Sequence, residues 1–281
     1  MNEPAPIGLL AGAGRFPVMV AEKARAAGIP IGCVGLRHLA SPELRDICTH
    51  YSEVGIAKLG GVIRAFRRMG VRKVMMAGKV QKAALLSPWR MWQLCPDWGA
   101  LRFWFFRRRR DNRDDSLLLG AIDEFKYAGF ELGSALDVCP EILVKPGLLT
   151  RRTPSRGEEK DIEFGWELAK EMGRLDVGQS VAVRERAVLA VEAIEGTDRA
   201  ILRAGELAHG GGFVVVKVAK PQQDMRFDVP TIGTMTIESM KKAGGTVLAV
   251  EANRTILLDE EETVALANRY GIAIIALDRA A

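Results

Sequence analysis

At 281 residues, with 48% apolar and 27% charged side chains, the chain has the balance of a globular protein and not that of disordered, collagen-like or disulfide-scaffold sequences. That length predicts two modest domains, and the longest runs free of Asp, Glu, Lys and Arg, Pro4–Gly14 and Ala26–Leu36, fall well short of the roughly 18 residues a bilayer span needs. The net charge of +5 is local: residues 102–113 hold six Arg and one Asp, leaving acids and bases in balance over the rest of the chain.

In chain order, Ile7–Ala11 reads as a strand. The turn Gly12-Ala13-Gly14-Arg15-Phe16-Pro17 follows it, then a helix through Val18–Arg25 stopped by Gly28. Ile31–Leu36 is a second strand, Gly61–Met69 a helix ended by Gly70, and Lys73–Ala77 a third strand running into Gly78-Lys79. Strands alternating with helices predict a Rossmann-like parallel sheet. The pattern then breaks: Trp89, Trp92, Trp98 and Trp104, four of the five tryptophans, lie within or just before the arginine-rich stretch. Asp114–Ala128 resumes as an amphipathic helix, with Asp114 or Asp115 able to cap it.

Residues 145–160, rich in Pro, Gly and charge, read as a linker. The predicted domains are therefore residues 1–144 and 161–281. In the second, Ile162–Met172 is expected to be helical, Ser180–Arg184 and Ala187–Ala193 a hairpin, and Asp198–Ala208 a helix. Strand Phe213–Ala219, helix Thr234–Ala243, strand Thr246–Val250, helix Glu260–Tyr270 and strand Ile272–Leu277 complete a mixed α/β domain. Asp259 followed by Glu262 resembles a capping box, with a carboxylate as the cap.

Met1-Asn2-Glu3-Pro4 lacks the basic start of a signal peptide, so a cytoplasmic protein is expected. Cys33, Cys48, Cys95 and Cys139 are scattered, as reduced thiols in ordinary packing would be. His38, His50 and His209 share no spacing with a Ser or Cys partner, so no nucleophilic triad can be argued.

Four segments can carry chemistry. In the first, Gly12 and Gly14 at a strand-to-helix turn let backbone amides approach a phosphate, with Arg15 beside them. This is half a dinucleotide fingerprint, because Pro17 stands where a third Gly belongs and the second strand ends in Leu36-Arg37-His38 without an acid for a ribose. An NAD dehydrogenase is disfavoured, and a tight turn without ligand is the alternative. In the second, Lys220 to Gly233, Asp224 and Asp228 stand four apart, with Lys217, Lys220 and Arg226 nearby and Thr231 and Gly233 at a helix entrance. Carboxylates suit Mg²⁺, and paired cations suit phosphate. The alternative there is a solvated loop of surface ion pairs. The third is Glu195-Gly196-Thr197-Asp198, where a cap by Thr197 or Asp198 competes with phosphate or sugar binding. Gly78-Lys79 invites the same argument. The fourth, Trp89 to Arg113, suits an anionic membrane surface better than nucleic acid, since the chain carries no second basic stretch.

Leu9–Pro17, Met76–Val80, Asp114–Leu118, Val191–Asp198 and Lys220–Gly233, in that order, resemble the LpxI family of UDP-2,3-diacylglucosamine pyrophosphatases nearly end to end. The resemblance implies a two-domain cytoplasmic hydrolase of lipid A biosynthesis with its active site in an interdomain cleft. It also implies Mg²⁺-dependent cleavage, with Mn²⁺ as a substitute, of UDP-2,3-diacylglucosamine to UMP and 2,3-diacylglucosamine 1-phosphate, by water attack at the β-phosphorus. Asp228 occupies the family's Arg-x-Asp-x-Pro-x-x-Gly element, with Arg226, Pro230 and Gly233 around it. It is the first choice for catalysis and metal binding, and Asp224 is the second. Gly12, Gly14, Arg15, Gly78, Lys79, Gly196, Thr197, Lys217, Lys220, Arg226, Thr231 and Gly233 are the candidate substrate contacts. Leu85–Arg110 departs from the family pattern and reads as an acyl-chain or membrane-contact elaboration. A homo-oligomer is a further expectation from the resemblance. Two readings stay open beside it: another nucleotide-sugar or dinucleotide enzyme, and a non-enzymatic binding module centred on Arg107–Arg110.

Overall fold

The computed structural model describes residues 6–56, 58–80 and 114–279, the side chains of 114–119 and 121 excepted. The aromatic and basic segment expected to meet a membrane lies outside the described residues. The chain divides after Pro140 into two compact units.

The first unit contains strands β1 (Ile7–Ala11), β2 (Ile31–Leu36), β3 (His50–Val54), β4 (Lys73–Ala77) and β5 (Glu131–Leu132). They form one parallel sheet in the order β3-β2-β1-β4-β5. Its helices are α1 (Phe16–Ala26), α2 (Leu44–Ile47), α3 (Leu59–Arg68) and α4 (Asp114–Tyr127). Pro17 lies in the first turn of α1, where its missing N–H costs nothing. Phe66, Phe125 and Phe130 knit α3 and α4 together over the sheet, with ring centroids 6.1–6.2 Å apart. The expected third strand, Lys73–Ala77, is the fourth. The edge strand β3 escapes the apolar pattern because His-Tyr-Ser-Glu-Val is only half-buried, and Glu53 spends its charge on Arg37 and Arg45.

The second unit contains β6 (Gly147–Leu148), α5 (Arg156–Arg174), β7 (Ser180–Arg184), β8 (Ala187–Val191), α6 (Thr197–Leu207) and β9 (Phe213–Lys217). It continues through β10 (Thr231–Ile232), α7 (Thr234–Ala243), β11 (Gly245–Glu251), β12 (Ile256–Leu257), α8 (Glu260–Tyr270) and β13 (Ala273–Leu277). The main sheet runs β6-β13-β11-β9-β7-β8, parallel across β13, β11 and β9 and antiparallel beyond, while β10 and β12 pair separately. Every residue of β9 is buried, as its unbroken Phe-Val-Val-Val run implies for a strand covered on both faces. Ile162, Trp166, Ala169 and Met172 of α5 cover one face. Ile201 and Ala204 of α6, Ile237 and Met240 of α7 and Ala267 of α8 cover the other.

Two local expectations are corrected. The segment 145–160 is an ordered part of the second unit, tied in by polar contacts that leave no apolar period to read. Its β6 pairs with β13, Thr150 Oγ1 accepts the Ile274 amide at 2.9 Å, and Ser155 and Glu158 form a capping box that starts α5. Asp259 does not cap α8 through its side chain: it sits in the left-handed region at φ 43° with no side-chain cap bond, and Thr263 Oγ1 instead donates to Leu258 O at 2.7 Å. Among the described residues no helix is long and apolar enough to cross a membrane.

Candidate functional site

In the first unit the chain runs outward from β1 to β3 and then returns to place β4 on the other side of β1. Ligands of open parallel sheets gather at the carboxyl ends of strands where the order reverses in this way. Gly12–Gly14 follows β1 and Gly78-Lys79 follows β4, so the fold brings these two sequence motifs together. Ala13 and Lys79 exchange both backbone hydrogen bonds, at 2.9 and 2.8 Å. A Cβ on Gly78, at φ 94°, would stand 2.8 Å from Ala13 O and from Pro17 Cγ, and one on Gly12 would stand 2.8 Å from Lys79 O. These glycines first serve the approach of one loop to the other. Arg15 is the N-cap residue of α1, makes no side-chain cap bond and pairs its guanidinium with Glu22 at 2.9 Å on the surface, and Lys79 is exposed.

In the second unit the polar centre lies at the end of β9. Lys217 is 4% exposed, and its ammonium donates to Thr197 Oγ1 at 2.9 Å and to Thr231 O at 3.1 Å. Thr197 is the first residue of α6, and its hydroxyl donates to Glu192 Oε1 at 2.9 Å. The cap of α6 is Gly196, at φ 85°, so neither Thr197 nor Asp198 caps the helix and the Thr197 hydroxyl is turned to Glu192 and Lys217. Ser180 pairs with Lys217 in register across β7 and β9, its Oγ 3.5 Å from Thr197 Oγ1, and its carbonyl accepts the Glu192 amide at 2.8 Å. Gly233, in extended backbone, is the N-cap residue of α7. Gly196, Thr197, Lys217 and Thr231 thus converge, and Gly233 follows two residues on.

The loop from Val218 to Pro230 divides the remaining candidates. Asp228 accepts from Gln223 Nε2 at 2.6 Å. Asp224 is instead bound by Arg226, whose Nη2 and Nε donate to it at 2.6 and 2.9 Å, and this carboxylate raises the Arg226 pKa above its ordinary value. Lys220 is paired with Asp176 in a largely buried contact, so the basic cluster read from sequence is already balanced by acids at two of its three cations. The root of the loop is pinned by Glu251, at the end of β11. It accepts the Ala219 amide at 2.8 Å and the Lys170 ammonium at 2.7 Å. Among the described residues no cluster of three or more His, Cys, Asp or Glu is arranged to hold a metal ion.

Family models described as the LpxI N-terminal domain and the LpxI C-terminal domain match residues 6–142 and 145–275. The chain belongs to the LpxI family. It is 34% identical over 282 aligned positions to the UDP-2,3-diacylglucosamine pyrophosphatase LpxI of Caulobacter vibrioides, the match covering 97% of each chain. The family assignment agrees with the two-domain α/β architecture.

Sequence reasoning missed Glu192, Gln223 and Glu251. Their one local signal is a polar residue at the end of an apolar strand, or in Gln223's case inside a loop already singled out for its acids. Their partners Thr197, Asp228 and Ala219 are fixed only by the fold.

Proposed function

We propose that this protein hydrolyses UDP-2,3-diacylglucosamine to UMP and 2,3-diacylglucosamine 1-phosphate in lipid A biosynthesis, with water attacking the β-phosphorus. The observation that carries the reading is the near full-length match to the Caulobacter vibrioides enzyme. The convergence of Lys217, Thr197 and the start of α6 at a strand end supports it. Pyrophosphate cleavage needs cations and amide dipoles where negative charge develops, and a buried ammonium beside a helix N-terminus supplies both.

Lys217 and the first turn of α6 are assigned to a phosphate group. Thr231 holds Lys217 through its carbonyl, and its hydroxyl donates to Val229 O at 3.0 Å, which ties Asp228's neighbour in place. Asp228 is assigned to the attacking water or to the metal. In the first unit Gly14, Arg15 and Lys79 remain candidate phosphate contacts.

Mg²⁺ is the proposed cofactor, with Mn²⁺ as its substitute. The donor set fits an ion held by one carboxylate and completed by substrate oxygens and water, the usual arrangement for Mg²⁺ at phosphates. Asp228 would hold it. When bound, the ion would polarise the phosphoryl oxygens and offset their developing charge. Asp224 fits less well, because Arg226 grips both of its oxygens.

Purified protein is incubated with UDP-2,3-diacylglucosamine in ¹⁸O-labelled water, with Mg²⁺, Mn²⁺ or EDTA, and the products are weighed by mass spectrometry. UMP and 2,3-diacylglucosamine 1-phosphate are expected with either ion and not with EDTA, the label residing in the sugar phosphate. Label in UMP would move the attack to the α-phosphorus, and absence of both products would overturn the assignment.

A further inference from the structure

We propose that Glu192 is a positioning residue for this reaction, acting on Lys217 through the Thr197 hydroxyl; the inference rests on the phosphate site assigned above. A hydroxyl has one hydrogen to give, and a carboxylate can only accept. Because Glu192 Oε1 takes the Thr197 hydrogen at 2.9 Å, the lone pairs of Oγ1 are left for the Lys217 ammonium, also at 2.9 Å. The direction of the chain Lys217 to Thr197 to Glu192 is thereby fixed. The ammonium is held at the first residue of α6, and not merely somewhere near it.

A purely structural reading explains this arrangement poorly. Glu192 is 7% exposed, and its Oε2 is buried without a hydrogen-bond partner. Leaving a buried carboxylate oxygen unpaired is costly, and an apolar side chain would avoid that cost. Native proteins keep few such atoms, and they concentrate where function overrides stability. Among the described residues three buried side-chain atoms are unpaired: Glu192 Oε2, Asp198 Oδ1 and Thr255 Oγ1. Two of the three, on Glu192 and Asp198, lie where β8 leads into α6, the stretch that also holds Gly196 and Thr197. The backbone confirms the packing at that point, since a Cβ on Gly178 would stand 2.0 Å from Glu192 O. Glu192 is thus closely packed at its main chain, whose amide also donates to Ser180 O at 2.8 Å.

The test is a double-mutant cycle on turnover of UDP-2,3-diacylglucosamine, with wild-type protein measured alongside. Glu192→Ala is expected to lower kcat about ten- to hundredfold with KM within about twofold, as small misplacements of a charge stabiliser do. Glu192→Gln, which keeps an acceptor oxygen, should recover kcat to within about threefold of wild type. Thr197→Val keeps the shape and removes the link, so adding Glu192→Ala to it should cost nothing further. Wild-type kcat in Glu192→Ala, additive losses, or no recovery in Glu192→Gln would each overturn the proposal. Should Glu192→Ala fail to fold, Thr197→Val alone carries the test, and an unchanged kcat there overturns it. Failure of the wild-type protein to turn over substrate would instead remove the functional reading itself.

Discussion

Gln223 holds Asp228 from the side, its Nε2 donating to Oδ2 at 2.6 Å while its own Oε1 accepts the Lys220 amide at 2.9 Å. The primary amide therefore bridges the start of the loop and its candidate catalytic carboxylate. With both ends of the amide engaged, Asp228 loses rotamer freedom before substrate arrives, which is how a preformed site avoids ordering costs during reaction. Gln223→Ala should lower kcat by about tenfold with little change in melting temperature, because the loop stays anchored through Glu251 and Asp176. Steady-state kinetics on that variant, with a thermal melt beside it, checks both halves. A melting point that falls in step with activity would make Gln223 a scaffold residue.

The two loop acids should separate cleanly. Asp228→Ala is expected to stay folded and to bind UMP, yet to lose at least about 10²-fold in turnover, as removal of the group assigned to the attacking water or the metal predicts. Asp224→Asn should leave the Mg²⁺ titration where it was, because the wild-type carboxylate is committed to Arg226. Its effect should be confined to the loop, within about 1 kcal/mol, as for other exposed pairs. A raised metal requirement in Asp224→Asn would return that residue to the metal site.

Most of the frame could be read from the chain because its strands are continuous apolar runs. Phe213–Val216 and Ile31–Leu36 are such runs, and the glycine stops Gly28 and Gly70 mark helix ends. What escaped has a common physical cause. Strand β3 and the 145–160 segment are held by polar contacts and edge pairing, which leave no hydrophobic period. At the site, the end of β9 and the loop after it were legible as a place where charge gathers. Which charges are spent was not, because Asp176 neutralises Lys220 from 44 positions away. Gln223 and Glu192 carried no signal beyond a polar residue in a loop or at a strand end, since a hydrogen-bond partner is a property of the fold and not of spacing.

The β7–β8 hairpin offers a stability test remote from the chemistry. Glu185 and Arg186 both adopt positive φ, 51° and 61°, in a two-residue turn without glycine. The turn is held by Asp161 of α5, whose buried carboxylate accepts both turn amides, at 2.9 and 2.6 Å. Asp161→Ala strands both donors and should cost about 2–4 kcal/mol. Replacing the turn pair with Asn-Gly, which enters this conformation without strain, should recover part of the loss. Chemical denaturation of the single and combined variants decides it, and a loss below about 0.5 kcal/mol would show that the turn holds itself.

Glu158 gives a prediction with a defined pH direction. Burial pushes its carboxyl upward, but the Ser155 amide, the Thr246 hydroxyl and the Arg152 guanidinium outweigh that and hold it below its ordinary value of 4.5. Arg152 meets both oxygens at 2.7 and 2.9 Å, and its other nitrogen reaches Thr246 O at 3.1 Å, so Glu158 fastens the start of α5 to the start of β11. A carboxyl whose folded value is depressed binds fewer protons in the native state. Its stabilisation is therefore complete above the unfolded value and is lost as pH falls through the folded one. Glu158→Gln should be about 1–2 kcal/mol less stable than wild type at neutral pH. That gap should hold down to about pH 5 and close as the pH falls below 4.5. Urea denaturation of both proteins at pH 7, 5 and 3 measures it. A gap that persists unchanged at pH 3 would assign the stabilisation to shape and packing and not to the charge.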